Sequence, residues 1–260
     1  MMRTGGPSPV MPITPTAKKI IYINVGIWLF AILAGYVASF MGWTSDSNGV
    51  MAIMYEWFGF LPRKVIESFW IWQPFTYMFM HSPNFFHLLF NMLLVWWLGA
   101  ELEVYWGRRY FLFYYIACGV GASIIYLIGV TLYYLVTKNY TVLAMPVVGA
   151  SGAVFGLILA YGFLFGERVI YFMMLFPMKA KVFVMIIGGV ELMNLMSEGM
   201  RSQVANLAHL GGLITGFILI KLGPKIRDLL NRRRTKAYGR KLKLVVDNDG
   251  NKVKGPKYWN

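Results

Sequence analysis

Residues Pro146–Gly162 read PVVGASGAVFGLILAYG: one hydroxyl, that of Ser151, set between glycines and followed by a run of apolar side chains. A helix of this composition is at home in lipid, where small residues form the seams along which helices approach. Ser151 then has two readings. It is a packing hydroxyl, or it is a nucleophile held at the start of a buried helix. The rest of the chain decides between them.

Outward from that stretch the chain stays apolar. Of 260 residues 58% are hydrophobic and 14% charged, more apolar surface than one soluble domain of this length can hide. A bilayer core asks for about 18–20 apolar residues at 1.5 Å each. Six runs approach that length: Ile20–Met41, Phe85–Leu102, Tyr110–Val136, Val147–Phe165, Val182–Met196 and Val204–Leu222. The fifth is short and interrupted by Glu191 and Asn194. The expected fold is all-α, a bundle of six transmembrane helices spanning residues 20–222. A leader over residues 1–19 and a basic tail over 223–260 flank it. The first run is longer than a signal-peptide core and no small-x-small site follows it, so it reads as a retained anchor.

A net charge of +14 raises the question of nucleic acid, and the distribution of charge answers it. Arg3, Lys18, Lys19, Arg108, Arg109, Arg168, Lys179, Lys181 and Lys221 fall on one set of loops, and the tail adds a dense series from Lys225 to Lys257. The opposite loops hold Arg63, Lys64, Lys138 and Arg201. This asymmetry places both termini in the cytoplasm. It also assigns the tail to anionic lipid headgroups rather than to nucleic acid. Within the tail, Asp249–Gly250 is a candidate hairpin turn. The one cysteine, Cys118, excludes an intrachain disulfide, and no phosphate-binding glycine loop occurs.

With the N-terminus inside, the second, fourth and sixth helices all begin at the outer face. His87 and Asn91 then lie in the first two turns of the second helix, Ser151 about one turn into the fourth, and His209 within two turns of the start of the sixth. All four sit roughly 3–9 Å below the same surface. A serine needs a neighbouring base to become nucleophilic, and histidine is the usual one. His87 and Asn91, four residues apart, share a helix face and can offer two donors to a developing oxyanion. Gly152 with Gly156, and Gly212 with Gly216, are small-residue pairs that allow close helix contact. No carboxylate or cysteine sits at ligand spacing in this layer, so neither a metal nor a cofactor is expected.

The elements GASGAVFG and AHLGGLITG, with HSPNFFHLLFNMLLVWWLGAELE upstream, resemble the rhomboid intramembrane serine proteases. The resemblance runs from about Ile20 to Leu222, with Glu103, Gly107 and FPMKAK (Phe176–Lys181) as further matches. It implies that Ser151 is the nucleophile and His209 the general base of a dyad without an acidic third member. His87, Asn91 and the Ser151 backbone N–H would form the oxyanion site, with Gly149, Gly152, Gly156, Gly212 and Gly216 packing around it. It also implies a segment between the first two helices that lies partly in the outer leaflet. Three features depart from the family's common pattern. Trp72–Gln73 stands where many members have Trp-Arg, and Phe155 where some have a tyrosine that stacks on the histidine. His81 precedes His87 by six residues, a spacing to which no role is carried over.

The expectation is therefore a six-helix intramembrane serine endopeptidase of a bacterial inner membrane, acting on single-span protein substrates near the outer face. Access would be lateral, past the second and fifth helices, with Ser197–Gln203 as a cap. Glu191 and Asn194, three residues apart on the fifth helix, read as structural hydrogen-bonding residues, the alternative being that they orient a distant group or line the substrate gate. The rival readings are an inactive relative that binds or traffics membrane proteins, and a transporter with an intramembrane polar site.

Overall fold

The computed structural model describes residues 12–44, 46, 48–172, 176–197 and 206–223. It divides into a unit of Met1–Ile220 and a second of Lys221–Asn260, and the tail's candidate hairpin lies outside the described residues. Each of the six apolar runs contains a helix. Among the described residues four are long and apolar enough to cross a membrane: α1 (Pro15–Phe40), the combined span Phe85–Trp106, α7 (Arg108–Thr137) and α10 (Asn206–Gly223). Between α1 and the second span lie three short helices, α2 (Gly49–Phe58), α3 (Pro62–Ser68) and α4 (Gln73–Thr76). The second span is α5 (Phe85–Leu94) and α6 (Ala100–Trp106), joined by a π turn over Val95–Gly99.

The fourth helix, α8 (Ser151–Leu164), has 14 residues, about 21 Å of rise against a hydrocarbon core of about 30 Å. The expected start at Val147 is corrected by Gly149. Its φ of +123° is closed to a helix, so Ser151 is the first residue of α8 rather than one turn inside it. Most of the side chains of α8 are buried, which makes it the centre of the bundle. Its glycines set that position. A Cβ on Gly156 would lie 2.5 Å from Cys118 Sγ on α7, and one on Gly152 2.7 Å from the Cβ of Ala122. One on Gly212 of α10 would run into the Gly152 carbonyl, and one on Gly216 would meet Gly156 Cα at 3.2 Å. The two glycine pairs of α8 and α10 therefore interlock backbone to backbone.

At one end of the bundle Glu103 closes the start of α1. Its carboxylate accepts from the Thr16 and Ala17 N–H groups at 3.0 Å and from the Thr14 hydroxyl at 2.5 Å. These donors have no partner within the helix, and an anion there also answers the helix dipole. At the same end β1 (Val169–Phe172) and β2 (Phe176–Lys179) form an antiparallel hairpin, paired Val169 to Lys179 and Phe172 to Phe176. Val169–Phe172 is wholly β-branched and aromatic, the side chains that favour a strand. Arg168 pairs with Glu101, which also accepts from the Tyr161 hydroxyl at 2.7 Å. Lys179 and Lys181 both reach Glu167 and pull its exposed carboxyl down to about 2. The hairpin leads into α9 (Ala180–Ser197).

The segment of α2 to α4 packs at the opposite end and is pinned by buried Gln73. Its Oε1 accepts from the Leu61 N–H at 3.0 Å and its Nε2 donates to the Glu56 carbonyl at 2.8 Å. A neutral amide thus ties the loop at the position where the sequence departs from Trp-Arg.

A candidate active site at the head of the central helix

The chain leading into Ser151 is fixed before the helix begins. Phe60 and Val147 exchange backbone hydrogen bonds of 2.9 Å in each direction, and the Gly149 N–H donates to the Tyr77 carbonyl at 3.1 Å. The Tyr77 hydroxyl in turn donates to the Gly119 carbonyl at 2.7 Å, anchoring the loop to α7. From this support the helix starts abruptly at Ser151. The first N–H groups of a helix have no internal acceptor and carry partial positive charge.

Ser151 Oγ lies 2.8 Å from His209 Nε2, on the first turn of α10. The imidazole lies flat on Phe155, with ring centroids 4.2 Å apart and planes 9° from parallel. Phe155 stands one turn after Ser151, so a single face of α8 presents both the hydroxyl and the platform for the imidazole. The aromatic stack needs no phenolic hydroxyl.

His87 approaches from α5. Its Nδ1 lies 3.0 Å from the Ser82 hydroxyl and accepts, at 3.4 Å, from the Ser82 N–H. An acceptor at Nδ1 puts the ring proton of the neutral imidazole on Nε2. That Nε2 faces Gly149, where a Cβ would lie 2.8 Å from it and 3.7 Å from Ser151 Oγ. The ring and the Ser151 hydroxyl therefore both flank Gly149. Asn91 is buried, and its Nδ2 donates to the His87 carbonyl at 2.8 Å, which directs one amide hydrogen along its own helix. His81, without a role from the sequence, is buried with its Nε2 3.5 Å from the Ala150 N–H and its ring 5.2 Å from that of His87.

One further neighbour is a residue that the sequence marks first as a structural hydrogen-bonding group. Glu191 Oε2 on α9 lies 3.1 Å from His209 Nδ1, with both side chains mostly buried. The contact is not aligned as a hydrogen bond, and neither atom has a hydrogen-bond partner among the described residues. The signal was present as a lone carboxylate on an apolar helix, which is expensive in a membrane and by default functional. Asn194 shares the helix with Glu191, and the expected cap beyond Ser197 lies outside the described residues.

Residues 68–225, more than half of the chain, match the family model described as Rhomboid domain. The chain belongs to the rhomboid family. It is a multi-pass integral membrane protein, and the matched region of the rhomboid domain includes His87, Asn91, Ser151, Glu191 and His209. Among curated relatives it is 28% identical over 188 residues to the rhomboid protease GluP of Bacillus subtilis, covering 72% of this chain and 32% of that protein. It is 30% identical over 156 residues to RHOMBOID-like protein 1 of Arabidopsis thaliana, covering 60% of this chain and 35% of that one. RHOMBOID-like protein 2 of the same plant is 31% identical over 157 residues, with 60% and 44% covered. The chain thus spans from 32% to 44% of the length of these relatives.

Proposed function

We propose that this rhomboid-family chain is an intramembrane serine endopeptidase that cleaves transmembrane protein substrates with a Ser151–His209 pair. The observation that carries the reading is the 2.8 Å contact of Ser151 Oγ with His209 Nε2 at the head of α8, with the imidazole stacked on Phe155. The protease named among the relatives agrees with it. In the reaction His209 Nε2 takes the Ser151 proton as Oγ attacks the scissile carbonyl, giving a tetrahedral oxyanion. The donors for that oxygen are the Ser151 N–H at the positive end of α8, His87 Nε2–H and an Asn91 amide hydrogen. Collapse of the intermediate passes the proton from His209 to the leaving amine and leaves an acyl ester on Ser151. Water, deprotonated by the same imidazole, then attacks the ester and frees the enzyme.

A helical substrate hides its carbonyls in its own hydrogen bonds, so the scissile segment must be extended. Helix-breaking residues near the bond and lateral access past α5 and α9 follow from that requirement. The membrane domain is assigned to residues 20–222, with the leader 1–19 and the tail 223–260 in the cytoplasm of a bacterial cell and the basic tail on anionic headgroups. Cleavage of a single-span reporter in proteoliposomes tests the reading. Wild type is expected to cut it, and Ser151→Ala and His209→Ala, folded as wild type, are expected not to. Cutting that survives either substitution overturns the proposal.

A further inference from the structure

Resting on that serine-peptidase reading, we infer that Glu191 is the positioning residue of His209, so that a carboxylate from α9 orients a serine–histidine dyad contributed by α8 and α10. An imidazole serves as base only if its lone pair, and not its N–H, faces the hydroxyl. At Nε2 that demand is set by Ser151, 2.8 Å away. The stack on Phe155 fixes the plane of the ring but does not distinguish its two nitrogens. What distinguishes them is the group at Nδ1, and that group is the Glu191 carboxylate at 3.1 Å. A carboxylate only accepts, so it holds the proton on Nδ1 and leaves Nε2 free to take the serine proton. It also answers the positive charge that His209 acquires when it does so. Neither atom has a hydrogen-bond partner among the described residues, so the two buried groups face each other at 3.1 Å with that need unmet at rest. The off-line angle at rest suits a contact that tightens as the ring becomes charged. Glu191 touches neither substrate nor the reacting oxygen. It acts through the imidazole.

The test uses the whole chain with 15N-labelled histidine, reconstituted for cleavage and for nitrogen NMR. The chain has three histidines, so His209→Ala assigns the His209 resonances directly. Wild type is expected to hold His209 as the Nδ1–H tautomer. Glu191→Leu is expected to mix the tautomers and to lower kcat about tenfold or more with KM unchanged, and Glu191→Asp to restore part of both. If the leucine variant does not fold, the isosteric Glu191→Gln replaces it, with kcat again expected to fall. A His209 tautomer indifferent to Glu191→Leu, or wild-type kcat in either substitution, overturns the inference. A wild-type protein that is inert and unlabelled by fluorophosphonate, yet whose tautomer follows Glu191, overturns the peptidase reading and leaves the positioning contact standing.

Discussion

Gly149→Ala separates the geometry of the site from the stability of the fold. The substitution adds one carbon, but at a φ of +123°, where an L side chain is strained at a cost of about 1–3 kcal/mol. The new Cβ would lie 2.8 Å from His87 Nε2 and 3.0 Å from its Cε1, with Ser151 Oγ at an unstrained 3.7 Å. The ring, not the serine, has to move. Displacing one oxyanion donor costs a peptidase about 10²–10³ in kcat. Gly149→Ala is therefore expected to unfold at a modestly lower temperature in detergent while losing at least a hundredfold in kcat on a single-span reporter. Because the damage runs through His87, His87→Ala in the Gly149→Ala background should add little, well short of the product of the two single effects. The assays are thermal unfolding of the purified protein and initial rates in proteoliposomes. A Gly149→Ala enzyme within threefold of wild type, or two substitutions whose effects multiply, would refute the assignment of His87 to the oxyanion.

Three further expectations concern separate parts of the molecule. Phe155→Leu removes the ring beneath His209, a stack worth about 0.5–1.5 kcal/mol, and is expected to lower kcat a few-fold to tenfold, whereas Phe155→Tyr keeps the stack and stays near wild type. Glu103→Ala strips the start of α1 of the acceptor for the Thr16 and Ala17 N–H groups; thermal unfolding should show a loss of roughly 1–3 kcal/mol. Lys181 and Lys179 depress the Glu167 carboxyl to about 2, so its small contribution is complete above the ordinary 4.5 and is lost only as pH falls from there through about 2. Activity between about pH 5 and 8 should therefore be the same for Glu167→Gln as for wild type, which paired pH profiles check.

Much of this was legible in the sequence because lipid imposes a single rule, that backbone polar groups be satisfied within helices. The apolar runs and the positions of Ser151, His87, Asn91 and His209 near helix starts follow from that rule and from counting. Less legible were features set by partners distant in the chain. That α8 starts at Ser151 depends on a left-handed Gly149 and on the bridge of Phe60 to Val147, which no local pattern announces. Gln73 reads as a loss against an arginine until its amide is seen to satisfy both Leu61 and Glu56. Glu191 was visible as an anomaly, but its partner depended on how α9 and α10 rotate about their axes, which an apolar helix leaves unmarked. The short β-hairpin rests on two four-residue strands, too short for a period of two to stand out from an apolar background.

The central claim is that His209 makes Ser151 a nucleophile. Its most direct test is mass-spectrometric mapping of fluorophosphonate adducts on the folded 260-residue chain in membranes. The account predicts phosphonylation at Ser151 in wild type and none there in folded His209→Ala. A label on another residue, no label in folded wild type, or equal labelling of Ser151 without His209 would contradict it.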